Sequence, residues 1–252
     1  MSRISPLLVP LLCLSLTACR ISEDDVAPPP VAPAPPGSGT GDDQRTYEDY
    51  NRVHDLTLDV AAAQDLTGHT DPLTRDDIRQ VQDTAEMSGI YAIAAESLLD
   101  TRGAFVGEMS MTANFGTGEV SGKLHNNHID SAYFPVPEHA HGQVTPLSGE
   151  VTYAGSITEE SDTGIAAISA NGTGVLSTAA NEKYELYVDM DGNFYRVDKE
   201  ALVSLDIDQV ESALAAVGGI EGNVNILDDG DATLYDLDGA YAVCETTVCA
   251  PR

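Results

Sequence analysis

The sequence predicts a mostly β domain of antiparallel strands, a sandwich or a barrel, preceded by a short helical segment and interrupted by one helix. From about residue 88 onward, apolar and polar residues alternate with a period of two in several short segments. Turns that contain glycine separate these segments at regular intervals, as in sandwiches and barrels. The 22 Gly and 13 Pro also suit turns and short strands better than a helical bundle.

The charge of the chain excludes some partners. Its 252 residues include 41 Asp and Glu against 12 Lys and Arg, for a net charge of −29 at pH 7. Nucleic-acid binding needs a basic stripe that releases counterions from phosphates, so it is not expected. A polybasic membrane-binding patch is excluded on the same ground. Such an acidic surface stays solvated and could attract cations or a basic partner.

Residues 1–18 have the pattern of a lipoprotein signal peptide. A positive residue, Arg3, precedes the apolar stretch Leu7–Leu16, which is too short for a stable transmembrane helix. The stretch ends in Leu-Thr-Ala-Cys at Cys19, which resembles a bacterial lipobox. We therefore expect Cys19 to be lipidated (with palmitate among its acyl chains) and to anchor the chain in a membrane; ordinary signal cleavage nearby is the alternative. Because Arg20 rather than Asp follows Cys19, the outer membrane is the expected location, facing either the periplasm or the cell surface.

Residues 19–45 are predicted to be a disordered tether. A Pro-rich run of nine residues, Pro28–Pro36, is followed by a Gly/Ser run. In a polyproline conformation the first run would span roughly 28 Å. It would lift a domain off the membrane, although a proline-motif ligand for a partner is an alternative.

Residues 46–87 are predicted to be a mostly helical lead-in that packs on the following domain. Tyr47, Tyr50 and Val53 fall on one helical face. A second helix is predicted to start at Thr74, which forms a capping-box pattern with Asp77. Its apolar stripe comprises Ile78, Val81 and Ala85.

The clearest β pattern is a hairpin in the domain that we assign to residues 88–252. Alternate residues of Phe105–Phe115 are apolar or small, Gly116–Gly118 predicts a three-residue loop, and Glu119–His125 alternates again. Asp-Gly pairs near residues 191, 229 and 238 predict further turns, and a weak calcium site at Asp189–Asn193 or Asp236–Gly239 is a less favoured alternative. The other strand candidates are Ile90–Ala95, Gln143–Ile157, Ile165–Ser177, Tyr184–Val188, Asn193–Val197, Val224–Ile226, Ala232–Tyr235 and Ala240–Cys244.

One helix is expected between the late strands, at residues 206–217. Asp206 and Gln209 form a second capping-box pattern, and Gly218 with Gly219 would end the helix. The apolar stripe of this helix comprises Ile207, Val210, Leu214 and Val217.

The segment Met111–Leu124 resembles the strand pair of transferrin-binding-protein-B-like barrels, in which an apolar strand ends in Asp/Asn-Phe and a Gly-bearing turn leads to Val-Ser-Gly. Gly89–Tyr91 and Tyr153–Gly155 are similar in style. The resemblance implies an antiparallel up-and-down barrel of about eight strands on a Gram-negative surface lipoprotein, acting as a binding or interaction module for a protein or a small solute. Better-known members capture host iron proteins, haem carriers or complement regulators. A single barrel and the inserted helix depart from the pattern, so transferrin binding itself is not implied and no binding residues are carried over.

Two groups of residues are candidates for site chemistry. His125, His128, His139 and His141 have ligand types suited to zinc, copper or haem, although a polar loop with incidental histidines is favoured. Once Cys13 leaves with the signal and Cys19 is lipidated, Cys244 and Cys249 remain, and an exported pair predicts one local disulfide.

The chain is not expected to be an enzyme, because it has neither a Gly-x-Ser-x-Gly nor a His-Glu-x-x-His motif. No resident cofactor is expected either, apart from the metal or haem hypothesis. A structural envelope lipoprotein without a captured ligand is the main alternative to the binding module.

Overall fold

The computed structural model of the chain describes residues 46–64, 71–79, 83–96, 101–130, 144–207, 209–228 and 231–249. The signal peptide, Cys19 and the tether lie outside them, as do His139 and His141. The helices are α1 (Tyr47–Ala63), α2 (Arg75–Arg79), α3 (Lys199–Ser204) and α4 (Thr246–Cys249). The strands are β1 (Thr84–Glu96), β2 (Thr101–Asn114), β3 (Glu119–Asp130), β4 (Val144–Pro146), β5 (Val151–Glu159), β6 (Ala166–Ser177), β7 (Lys183–Asp198), β8 (Ser212–Asp228) and β9 (Asp231–Glu245).

The strands form a closed, eight-stranded antiparallel barrel, which confirms the predicted fold class. Successive strands pair as neighbours, and the short β4 is a side element that pairs with the end of β3. Strand β1 pairs with β9 from Met87 opposite Glu245 to Glu96 opposite Asp236, which closes the sheet. Closure removes the free strand edges that otherwise invite aggregation.

The predicted hairpin is present as β2 and β3. Asn114 pairs with Glu119, so the connection has four residues, 115–118, rather than the predicted three. Phe105, Met109 and Met111 are buried on the inward face that the alternation predicted. Phe115 begins the turn and is also fully buried in the barrel interior.

Side chains fill the barrel interior. One contiguous cluster of buried residues joins all eight barrel strands. The largest fully buried members include Tyr91, Phe115, Phe194, Met109 and Leu124. A filled interior leaves the ends and the outer wall of the barrel as the places where a ligand can bind.

Helix α2 plugs one end of the barrel. The Leu73 amide donates to the Phe194 carbonyl (2.8 Å), and the Ala166 amide donates to the Leu73 carbonyl (3.0 Å). These bonds hold the segment before α2 against the barrel, and the Ile78 side chain is fully buried in the interior cluster. The predicted capping box is confirmed, because the Asp77 amide donates to Thr74 Oγ1 (3.2 Å) and the Thr74 amide donates to the Asp77 carboxylate (3.3 Å).

The apolar stripe predicted for this helix is only partly correct. The helix ends at Arg79, and Ala85 belongs to β1, where it faces the barrel interior. Val81 lies outside the described residues. The change from helical to strand periodicity therefore comes about four residues earlier than the predicted domain boundary at residue 88.

Helix α1 lies along the outer wall of the barrel, and Thr46 and Asp49 form a capping box at its start. The predicted apolar face is confirmed, since Tyr50 and Val53 are buried against β1 and β2 and Tyr47 packs on the same cluster. At the other end of the helix, Val60 joins a second outer cluster with α3, α4 and the strands beneath them. The lead-in thus packs on the domain, as expected.

The helix predicted at residues 206–217 is wrong in position. The inserted helix is α3, which comes directly after β7, whereas residues from Ser212 onward form β8. Leu214 and Ala216 face the barrel interior, while Ala213 and Ala215 face the outer cluster beneath α1, α3 and α4. A strand buried on both faces is apolar at successive positions, and periodicity cannot distinguish such a run from a buried helix.

Two predicted turns are also wrong, because β7 continues through Asp191-Gly192 and β9 continues through Asp238-Gly239. A Cβ on Gly239 would lie 2.2 Å from the Ala92 carbonyl oxygen, and one on Gly192 would lie 2.4 Å from the Tyr241 hydroxyl. Close approach of the neighbouring strand at Gly239, and of a side chain from β9 at Gly192, therefore explains these glycines better than a turn. The third Asp-Gly pair, at residues 229 and 230, lies outside the described residues.

Cys244 and Cys249 form the predicted disulfide. Cys244 lies in β9 and Cys249 ends α4, and both are buried in the outer cluster with Val248. The bond holds the end of the described chain against the barrel wall.

Candidate functional site

The barrel end opposite the α2 plug contains a cavity of about 260 Å³, which we call the mouth cavity. Phe105, Tyr184 and Tyr235 contribute three aromatic rings to its lining. Ile129, Ile226 and Leu227 contribute aliphatic side chains that remain partly exposed. Its size lies just below the usual range for small-molecule sites.

The aromatic rings of the mouth cavity meet because the barrel closes. Phe105 lies near the start of β2, Tyr184 near the start of β7 and Tyr235 near the start of β9. The rings of Phe105 and Tyr184 meet edge to face, with centroids 5.5 Å apart. All three side chains are buried, so their positions are fixed by packing rather than by a flexible loop.

The turn between β6 and β7 places a carboxylate at the mouth cavity. The Thr178 amide donates to the Glu182 carbonyl (3.0 Å), and the Glu182 amide donates to Thr178 Oγ1 (3.2 Å). Asn181 has a positive φ of 66°, a conformation that Asn tolerates better than most residues. Glu182 Oε2 lies within 3.4 Å of the Thr178 hydroxyl and 3.5 Å of the Tyr184 hydroxyl. The mouth cavity therefore combines aromatic walls with one anionic group.

His125 and His128 lie on the outer wall of β3, away from the mouth cavity. Residues three apart on a regular strand face opposite sides. The pairing of β3 with β2 shifts between Val106 and Glu108, and Asn126 has a positive φ of 48°, which together form a β-bulge. The bulge turns both histidines away from the interior, towards which Leu124 packs.

His128 is buried beneath α1. Its ring lies 5.1 Å from the Tyr47 ring and 6.4 Å from the Tyr50 ring, measured between centroids. Burial lowers the pKa of His128, and a hydrogen bond to the Asn126 backbone opposes this only in part. The neutral ring is therefore favoured at neutral pH.

Hydrogen bonds fix the start of α1 over the outer face of β3. The Tyr47 hydroxyl donates to Asp130 Oδ2 (3.0 Å). The Asn126 side-chain amide donates both to Glu108 Oε1 (2.8 Å) and to the Thr46 carbonyl (3.1 Å). Together with the ring contacts of His128, these bonds place His128 in a helix-packing surface, and His125 is buried on the same strand.

The described residues contain no group of three or more His, Cys, Asp or Glu side chains placed to hold a metal. His139 and His141 lie outside them, so the four-histidine metal or haem hypothesis stays a prediction. Sequence reasoning missed the mouth cavity, because its aromatic residues come from distant strands and no local motif marks them.

Comparison of the chain with family models, with curated proteins and with solved structures finds no match. The resemblance to transferrin-binding-protein-B-like barrels therefore stays a prediction from the residues. Within the described segments, no helix has both the length and the apolar character needed to cross a bilayer.

Proposed function

We propose that the chain is a lipid-anchored protein of the bacterial outer membrane whose barrel binds a small solute at its mouth. The observation that carries the binding part is the mouth cavity, which lies at one end of a filled barrel whose other end is plugged by Ile78 of α2. The anchoring part is supported by the sequence alone, through the signal-peptide pattern, Cys19 and the tether. The resemblance of Met111–Leu124 to surface lipoprotein barrels agrees with both parts.

Lipid anchoring is tested by metabolic labelling with radioactive palmitate in a Gram-negative host. The expected result is label on the wild-type chain and on Cys13→Ser, and none on Cys19→Ser. Cys13→Ser is the matched control, because it removes a thiol from the same N-terminal segment without touching the lipobox. Label that persists on Cys19→Ser would contradict the anchor.

Solute binding is tested by native mass spectrometry of the chain purified from cells under non-denaturing conditions. We expect a bound small molecule on the wild type, and its loss in Ile226→Trp, which fills the mouth cavity with a larger ring. Leu234→Trp is the matched control, since Leu234 is 58% exposed and precedes the cavity residue Tyr235 on the same strand. Equal occupancy in both variants would place the solute elsewhere.

A structural envelope lipoprotein is the second candidate, and the filled barrel interior favours it. It would bind no solute in either variant. Cells that lack the chain would then show envelope defects with normal solute uptake.

A further inference from the structure

The charge and ring content of the mouth cavity indicate the class of ligand that it would hold. Among the described residues that line it, Glu182 alone carries a charge, and none is Lys, Arg or His. Among these described residues, an anionic ligand would therefore find no cationic partner and would face the Glu182 carboxylate. The net charge of −29 adds a long-range field that attracts cations.

The three aromatic rings of the mouth cavity also favour a positively charged ligand. Aromatic faces carry negative partial charge and attract ammonium groups, most strongly where water is excluded. Phe105, Tyr184 and Tyr235 are 3%, 9% and 4% exposed, so a cation placed against them would be largely desolvated on that side. Glu182 lies beside Tyr184 at the rim of the cavity, where its carboxylate can neutralise the charge of the bound cation.

A small metal ion does not fit this lining. Calcium in proteins takes six to eight oxygen ligands, commonly from several carboxylates, and magnesium retains much of its hydration shell, whereas Glu182 is the one carboxylate among the described residues that line the cavity. A weakly hydrated organic cation needs fewer oxygen partners, and its methyl groups can pack on aliphatic side chains such as Ile129 and Ile226.

We propose that the mouth cavity binds a small organic ammonium ion, with Phe105, Tyr184 and Tyr235 as the aromatic wall and Glu182 as the counter-charge. The volume of about 260 Å³ accommodates a cation of the size of choline. This inference rests on the proposed function and specifies the solute class of the same site.

The test is an NMR titration of the full chain with choline and with its neutral isostere 3,3-dimethyl-1-butanol, following the amide signals of Thr178 and Tyr184. We expect choline to bind about tenfold more tightly than the isostere, because cation–π attraction and the carboxylate act only on the charged ligand. Equal affinity for the two compounds, or no binding of choline, would overturn the inference.

Substitutions locate the effect at the mouth cavity. Glu182→Gln keeps the shape of the side chain and should weaken choline binding about threefold, because Glu182 is exposed at the rim and water screens its attraction for the cation. Glu185→Gln is the matched control, since it removes the same charge three residues along β7, at a position paired with the exposed Val175 on the outer wall. Tyr235→Phe should retain binding and Tyr235→Leu should lose it. An unchanged thermal unfolding midpoint in Glu182→Gln separates lost binding from lost folding.

The outcomes distinguish this inference from the proposed function. If the native protein carries a neutral or anionic solute that Ile226→Trp removes, the ammonium inference fails and the binding function stands. If no solute is found and choline does not bind, both fail. If choline binds as predicted but palmitate does not label the chain, only the anchor fails.

Discussion

Truncation of Ile78 to alanine tests whether α2 plugs the barrel. The Ile78 side chain is fully buried among interior residues, although its helix has only five residues and could not be stable alone. Ile78→Ala removes three buried carbons, worth about 2.4 kcal/mol at roughly 0.8 kcal/mol each. A residual cavity raises the expected loss of unfolding free energy to about 3–4 kcal/mol.

The assay is urea unfolding with thermal unfolding in parallel. For a described domain of this size, a loss of 3 kcal/mol corresponds to a fall in Tm of roughly 6–12 °C. Leu58→Ala on α1 is the control, because Leu58 is 46% exposed and its truncation should cost less than about 0.5 kcal/mol. Equal effects of the two substitutions would refute the plug, since they would mean that α2 can leave the barrel end at no cost.

Three further predictions concern the interior, the wall beneath α1 and the outer charges. Tyr91→Phe should lower the unfolding free energy by about 1–3 kcal/mol in urea unfolding, because the buried Tyr91 hydroxyl donates to Asn127 Oδ1, which would lose that donor; no loss would mean that another group satisfies this oxygen. Because burial lowers the pKa of His128 from its ordinary value of 6.5, the unfolded chain binds more protons than the folded chain as the pH falls, so stability should fall between pH 7.5 and pH 5.5. His128→Phe should flatten this part of a profile of urea midpoint against pH, and an unchanged slope would contradict the assignment to His128. Glu221→Lys should stabilise the barrel by about 1 kcal/mol at low salt and by less in 1 M NaCl, because Glu221 pairs directly with Asp189 on one side and Asp238 on the other. An unchanged or lower stability at low salt would contradict repulsion among these three carboxylates.

Most of the fold could be predicted from the sequence, because the barrel strands have one buried and one solvent-exposed face along much of their length. The alternation predicted for Phe105–Phe115 matches the burial pattern of β2 from Met109 to Asn114, whereas Val106 and Glu108 are also buried on the outward face. The prediction failed where helices cover the outer wall as well. In β8, Ala213 to Ala216 are all buried, and the period-two signal disappears.

The interpretation of Asp-Gly pairs as turns was the second error in predicting the fold from the sequence. Asp-Gly pairs are typical of turns when only local sequence is considered. In this barrel, Gly192 and Gly239 leave room for the Tyr241 hydroxyl and the Ala92 carbonyl, contacts made by strands far apart in the chain. Such contacts depend on the register of the closed sheet, so local sequence could not reveal them.

The mouth cavity illustrates the same limit for function. The histidines stood out in the sequence because they cluster within 17 residues, yet His128 packs against α1 and His125 is buried on the same strand. Phe105, Tyr184 and Tyr235 carried no signal, since aromatic residues on inward strand positions ordinarily fill a core.

Closure of the barrel determines where binding can take place. It fills the interior from Leu124 to Phe194 with side chains, and Ile78 closes one end, so a solute can enter only at the other end or bind the wall. At that other end, Phe105, Tyr184 and Tyr235 belong to the buried interior cluster and also line the mouth cavity. These aromatic residues thus pack against the core on one side and contact the ligand on the other. A single carboxylate in the turn between β6 and β7, that of Glu182, is therefore enough to give the cavity a preference for cations.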